Sequence, residues 1–306
     1  MPKTMLVTGG AGWIGSHVVH HLLAEGNRVV VLTRPKTDLW RLTDVLADVR
    51  IIRCDLNDQA AVANELAAVP PQVCFHLAWP ASHATYLDTP ENIGALQATL
   101  ALATTMSRLG CERFLGTGTC LEYDSTVGLL SEDTPVGPDS LYARAKLACW
   151  LLLERLNETM PVVWARLFYQ FGPMENDRRL VPMIVRALQR SEPALLTGGD
   201  QVRDFLHVAD VAAALVAVSG SVAAGVVNVG SGRPITVAAV AAWIAEVFGR
   251  PDLVKLGARP YAARDPMFIC AKIERLKATG WRPQLTLERG ITETVEWWMA
   301  HGRAAA

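Results

Sequence analysis

The stretch TGGAGWIGSH, residues 8–17, decides the fold. It follows the apolar run MLV directly and leads into a helical pattern over 13–25, so Gly9, Gly12 and Gly15 stand between a strand and a helix. A turn without Cβ atoms lets a pyrophosphate reach the helix N-terminus, where free N–H groups and the helix dipole favour negative charge. In this setting the glycine triplet predicts dinucleotide binding.

Outward from that turn, short apolar runs alternate with longer helical patterns. MLVTG, RVVVLT, VRIIRC, VCFHLA, RFLGTG and PVVWARLF read as strands, with helices over 37–47, 58–67, 91–109 and 140–158. The alternation predicts an α/β fold, a Rossmann-type doubly wound parallel sheet with helices on both faces. Beyond Gly172-Pro173 the pattern loosens into a helix near 180–190, a strand near 194–197, RDFLHV, a helix from 208 and the strand VVNVG. The run ITVAAVAAWIAEVF and helices near 272–279 and 287–301 complete the chain. We expect a dinucleotide-binding domain over 1–170, rejoined at about 205–231, and a smaller C-terminal α/β substrate-binding domain over most of 171–306.

With 306 residues, 51% hydrophobic and 19% charged, the chain can bury a large core, which argues against disorder. Its 29 basic and 30 acidic residues give no global attraction to nucleic acid or to an anionic membrane. An anionic ligand must be met locally. Cys54, Cys74, Cys111, Cys120, Cys149 and Cys270 are scattered without a CxxC, as reduced cytosolic thiols are, so neither a disulfide framework nor a metal site is expected. The opening MPKTMLVTGG leaves no room for a signal peptide. The uncharged run 211–229 is broken by SGS at 219–221, Gly225 and Asn228, and reads as a buried helix and a strand instead of a membrane span. A cytoplasmic location follows.

The end of the second strand bears on which dinucleotide is held. An acid there would bind the ribose 2′-OH of NAD, but VVVLTRP places Thr33 and Arg34, a neutral donor and a cation suited to a 2′-phosphate. NADP is preferred, and NAD stays open. Further on, SLYARAKLA sets Tyr142 and Lys146 four apart on one helix face. A nearby ammonium would stabilise the phenolate and lower the tyrosine pKa from about 10, making it a proton donor or acceptor near neutrality.

At this point the chain resembles the extended short-chain dehydrogenase/reductases, the NAD(P)-dependent nucleotide-sugar epimerase/dehydratase family. TGGAGWIGSH, CDL at 54–56, HLA at 76–78, Asn92, PDSLYARAK, RDFLHVADV, VNVGSG and GWRP fall in family order. The resemblance implies that Trp13 and Ile14 of the glycine turn, Asp55, Leu56, Leu77, Ala78 and Asn92 contact the cofactor, Asp55 at the adenine. It implies that Thr119 bonds the reacting oxygen, Tyr142 is the acid/base and Lys146 holds the nicotinamide ribose. Arg203 would pair with the diphosphate of a nucleotide sugar, and RRLVP, with Arg179, would line the nucleotide pocket. A second diphosphate arginine is Arg259 or Arg264. Tyr169 stands where many members carry asparagine, and Lys272 where many carry aspartate. A homodimer through helices near 95–108 and 142–156 is also implied.

In TGTCLEY, residues 117–123, Tyr123 matches the tyrosine of the family's VYG, which makes Thr119 the family's Ser/Thr. Nucleotide-sugar 4,6-dehydratases resemble one another in carrying Asp-Glu at the next two positions, UDP-glucuronate decarboxylases a glutamate at the second, and 3,5-epimerase/reductases a cysteine there. This chain has Cys120 and Leu121. If the strand stays regular, Cys120 and Glu122 point away from the Thr119 face, and Glu122 is a structural acid. Two reactions fit Thr119, Tyr142 and Lys146: reduction of a 4-keto sugar, and 4-epimerisation with retained NAD. Thr33-Arg34 tips the choice toward the NADPH reductase. A reductase of non-nucleotide carbonyls and a non-catalytic dinucleotide sensor are weaker alternatives, since RRLVP and RDFLHV suit a diphosphate and the sensor class loses the tyrosine or lysine. His20, His21 and His76 read as structural histidines. Ser82 and His83, in the loop 79–90 over the ligand edge of the sheet, are substrate-contact candidates. Trp297 and Trp298 are expected to close the small domain's core.

Overall fold

The structure is a computed structural model, and it describes residues 2–80, 85–221, 224–262 and 265–301. Its opening strand β1 (Thr4–Thr8) is buried at every position. Strands covered on both faces have no solvent side to alternate toward, which is why these runs are continuously apolar. After helix α1 (Trp13–Ala24), β2 (Arg28–Thr33) and β3 (Val49–Arg53) build outward in one direction. After α2 (Gln59–Ala67), the chain crosses back to β4 (Val73–His76) on the other side of β1. Helix α3 (Glu91–Arg108), β5 (Arg113–Thr119), the short β6 (Leu129–Leu130), α4 (Leu141–Leu153) and β7 (Val162–Leu167) follow.

Beyond β7 come β8 (Tyr169–Phe171), α5 (Leu180–Gln189), β9 (Ala194–Leu195), β10 (Val202–His207), α6 (Val208–Gly220) and β11 (Gly225–Val229). The chain ends with β12 (Pro234–Thr236), α7 (Val237–Phe248), β13 (Val254–Lys255), β14 (Cys270–Ala271), α8 (Glu274–Ala278) and α9 (Leu287–His301). Among the described residues the main sheet has seven parallel strands in the order β11-β7-β5-β4-β1-β2-β3. The direction of winding reverses at β1 and β4. In open sheets of this kind, ligands bind in the crevice beyond the strands' carboxyl ends at that reversal.

Two apolar cores cover the sheet. Val18, Val19 and Leu22 of α1 meet Val211, Leu215 and Val218 of α6 on one face, and residues of α2, α3 and α4 cover the other. A third core, built from α5, α7 and α9 with Trp298, forms the smaller lobe around the sheet β12-β10-β8. Trp297 packs at its margin, edge-on to Trp298 at 5.2 Å. Polar side chains fix several helix starts: Asp58 accepts from Ala61 N at the head of α2, and Ser140 from Ala143 N at the head of α4.

Two expectations change in detail. The segment 37–47 forms only a 3-10 turn, Trp40–Val45, where an α-helix was expected. The chain rejoins the main sheet through α6 and β11, whereas β10, part of the expected returning segment, belongs to the small sheet. The uncharged run 211–229 is α6 followed by β11, and among the described residues no helix is long and apolar enough to cross a membrane. All six cysteines are free and buried.

Candidate active site

The turn after β1 sets one wall of a cavity of about 780 Å³. Gly9 has φ +71°, and a Cβ there would stand 2.7 Å from Ala78 N, while a Cβ on Gly15 would stand 2.1 Å from Gly9 O. Only glycine fits both places. Gly12 is the N-cap of α1 and offers no side-chain cap, so the first-turn N–H groups stay open to an anion. A glycine cradle against an uncapped helix start fits a dinucleotide diphosphate. Trp13, Ile14 and Leu77 line the same wall.

Thr119, Tyr142, Lys146, Arg179 and Arg203 line the cavity as well, so the structure brings the proposed reacting and substrate residues together with the glycine turn. Thr33 and Arg34 lie at the end of β2 outside its lining, Thr33 buried and Arg34 exposed. Asp55 and Leu56 follow β3, also outside it, with Asp55 Oδ1 accepting from Asn57 N and Nδ2 at 2.9 Å each. Ala78 backs Gly9 without joining the lining. Ser82, His83 and Arg264 lie outside the described residues. Arg259, the other candidate for the second diphosphate arginine, does line the cavity.

Asn92 corrects the reading as a cofactor contact. It is fully buried, its amide donating to the Tyr86 and Thr89 carbonyls at 2.7 and 2.9 Å and its oxygen accepting from Trp79 Nε1 at 2.8 Å. Its role is to hold the loop after β4.

A second correction concerns TGTCLEY. The strand ends at Thr119, and Cys120–Glu122 form a 3-10 turn closed by a capping box. Thr119 Oγ1 accepts from Leu121 N at 3.3 Å, and Glu122 Oε1 accepts from Thr119 N at 2.8 Å. Strand alternation therefore stops applying, and Cys120 lines the cavity with Leu121 instead of facing away. Burial pushes the Cys120 thiol up to about 12. Glu122 lies behind the lining, bound to Trp164 Nε1 at 3.1 Å and Arg166 Nε at 2.7 Å.

The expected lowering of the Tyr142 pKa is not what this arrangement gives. Burial raises the phenol above 10, with Tyr86 and Glu122 adding to it and a hydrogen bond from Thr119 opposing. Lys146 Nζ donates to Thr117 O at 2.6 Å and sits 5.9 Å from the Tyr142 ring centroid. Burial brings Lys146 itself down to about 8. His76 is structural, its two nitrogens bonded to Thr8 Oγ1 and Thr99 Oγ1 at 2.8 Å each. His20 bonds Ser16 O and the Asp44 carboxylate.

On the smaller lobe, Arg203 Nη2 meets Asp265 Oδ1 at 2.5 Å, and its guanidinium lies over Tyr169 at 5.2 Å. Arg179 lies over Tyr86 at 5.6 Å. Some lining residues, Arg41 among them, escape the sequence reading. Trp13 Nε1 donates to Pro173 O at 2.7 Å and Arg41 to Met174 O at 3.0 Å, tying the loop after β8 to the glycine turn. Trp79 and Tyr86 also line the cavity, and their place in the loop 79–90 that follows the HLA motif is the available signal.

Residues 5–230 match the family model described as NAD dependent epimerase/dehydratase family. The chain is 29% identical over 314 residues to UDP-glucuronic acid decarboxylase 1 of Xenopus tropicalis, covering 96% of this chain and 72% of that one. It is 28% identical to dTDP-glucose 4,6-dehydratase of Salmonella typhimurium, covering 97% and 93%. Among solved structures, the Thermus thermophilus UDP-glucose 4-epimerase complex with NAD superposes with a TM-score of 0.86 at 28% identity, covering 99% and 100%.

Proposed function

The chain belongs to the NAD dependent epimerase/dehydratase family of nucleotide-sugar enzymes, and from that premise we propose that it is an NADPH-dependent reductase of a nucleotide-diphosphate-linked 4-keto-6-deoxy sugar, acting at C4. The observation that carries this reading is the pair of positions after Thr119. Both line the cavity, and they present a thiol held neutral and a leucine. Eliminating water across C5 and C6, or removing a carboxyl group, calls on a further acid or base at these positions. Neither side chain serves, and the Glu122 carboxylate is bound to Trp164 and Arg166.

When bound, the reduced nicotinamide supplies the hydride. In the proposed reaction Tyr142 gives its proton to the C4 oxygen, and the Thr119 hydroxyl orients that oxygen. A phenol kept protonated by burial suits the reducing direction, in which the proton leaves the enzyme for the substrate. Lys146 is assigned to the nicotinamide ribose, Arg203 and Arg259 to the diphosphate, and Arg179 to the nucleotide. NADP preference rests on Thr33 and on Arg34, whose loop is braced by Arg53 Nη1 donating to the Pro35 carbonyl at 2.8 Å. We place the enzyme in the cytoplasm as a homodimer through α3 and α4, where Ile93, Leu151 and Leu152 are exposed.

A 4-epimerase with retained NAD is the second reading, favoured by the likeness to the Thermus thermophilus enzyme. Mass spectrometry of nucleotides carried through purification, with an assay of NADPH consumption on nucleotide-linked 4-keto sugars, separates the two. Net NADPH consumption supports the reductase. Bound NAD with C4 epimers interconverted and no net redox replaces it with the epimerase.

A further inference from the structure

Lys146 is buried at the edge of the cavity, a costly place for a cation. One N–H reaches Thr117 O, and Glu122, the acid that acts on it from a distance, is already bound to Arg166. Its ammonium lies 3.8 Å from the centroid of the Trp79 ring, closer than to Trp164 at 5.8 Å or Tyr142 at 5.9 Å. That indole is fixed in place: Nε1 donates to Asn92, Asn92 is anchored on the Tyr86 and Thr89 carbonyls, and Tyr142 meets the ring edge-on at 6.2 Å.

We propose that Trp79 is the positioning residue for Lys146, its face seating the ammonium and favouring the charged form that burial opposes. A cation over an indole face is attracted by the ring quadrupole, most strongly where water is excluded. The other groups facing Lys146 are the Thr117 carbonyl on β5, Tyr142 and Cys149 on its own helix, His76 on β4, Trp164 on β7 and Glu122 in the turn after β5. His76 is neutral, held down to about 3 by burial, and Cys149 is kept a thiol, pushed up to about 11 by burial. Burial brings Lys146 to about 8, so close to neutrality that a modest change in its seat alters its charge. The functional consequence rests on the assignment of Lys146 to the cofactor ribose. The seat itself belongs to the cofactor-free protein.

The test replaces Trp79 with mono-, di- and tetrafluorinated tryptophan, which drains the π face without changing its shape. Lys146 is titrated in cofactor-free protein through its 13Cε resonance, assigned as the one missing from Lys146→Arg. The expected result is a stepwise fall in the titration midpoint of about one pH unit across the series. Trp79→Phe, a weaker π face without the Nε1 anchor, should fall partway, and Trp79→Leu should fall as far as the tetrafluorinated protein. NADPH Kd should weaken in the fluorinated proteins at pH 8 and match wild type at pH 6, where Lys146 is charged in all of them. A packing role alone would weaken binding equally at both. A flat or rising series overturns the proposal. Because the NMR titration uses neither cofactor nor substrate, failure of the reductase reading leaves its result intact.

Discussion

Replacing Glu122 by glutamine removes one charge from the most enclosed ion pair among the described residues. Glu122 is 0% exposed and Arg166 2%. The carboxylate accepts four contacts: Thr119 N at 2.8 Å, Trp164 Nε1 at 3.1 Å from each oxygen, and Arg166 Nε at 2.7 Å. A glutamine oxygen in the Oε1 position keeps the Thr119 and Trp164 bonds, but its NH₂ then faces the Arg166 N–H donor. The guanidinium keeps Tyr123, over whose ring it stacks at 4.2 Å and with which it also hydrogen-bonds, but no opposite charge. Breaking one side of a buried pair costs about 3–5 kcal/mol, because the remaining charge stays desolvated. Set against a typical total of about 5–15 kcal/mol, the variant should still fold with a much lower urea midpoint. Turnover, measured below the onset of unfolding, should stay within a few-fold of wild type, because the bond holding Thr119 survives. A kcat loss of orders of magnitude in folded protein would refute the structural assignment, and an unchanged midpoint would refute the ion-pair reasoning.

Tyr142→Phe should cost orders of magnitude in kcat with little change in cofactor Kd, since it removes the proton and not the binding surface; near-normal turnover would discard the assignment. Arg34→Ala should weaken NADPH by about 10- to 150-fold and leave NADH nearly unchanged, and Thr33→Asp should go further by repelling the 2′-phosphate. Wild-type preference for NADH in the same Kd measurements would sink that reading. Acid should destabilise the fold early, because burial lowers His17 and His207 to about 4 and His76 to about 3. With folded values depressed below about 6.5, their contribution is complete above pH 6.5 and is lost as pH falls toward 4. Three protons taken up on unfolding give the histidines a slope of up to about 4 kcal/mol per pH unit, partly offset by the Glu175 and Asp204 carboxyls, which burial raises. Denaturation midpoints between pH 7 and 4.5 check this, and a flat profile contradicts it.

The parts legible in the sequence are those set by local rules. The glycine turn announces itself because a backbone at φ +71° and a 2.1 Å approach admit nothing larger than glycine. The parallel strands do so because burial on both faces leaves them continuously apolar. The spacing of Tyr142 and Lys146 fixes a shared helix face, but not the distance between their polar ends. That distance depends on Trp79, Thr117 and Trp164, which come from three other elements. Asn92 departs from the sequence expectation for the same reason. Its motif position was visible, while its three partners required the loop's folded path.

Glu122 shows how one local signal can outrank another. Alternation from Thr119 argued that the acid faces away, and it does lie behind the cavity, but for a different reason. Thr119-x-x-Glu122 spells a capping box, and that box ends the strand at Thr119. The two glycines before it belong to the same device. A Cβ on Gly118 would stand 2.3 Å from Trp164 Nε1 and 2.4 Å from Glu122 Oε1, and one on Gly116 would stand 2.5 Å from the Trp164 ring. The runs GTGTCLEY and VVWAR are therefore one unit: the glycines admit the tryptophan, the tryptophan and Arg166 hold the glutamate, and the glutamate fixes the backbone of Thr119. The acid behind the reaction centre fixes the backbone of Thr119 and reaches Tyr142 and Lys146 only through its field, which leaves Cys120 and Leu121 to line the cavity.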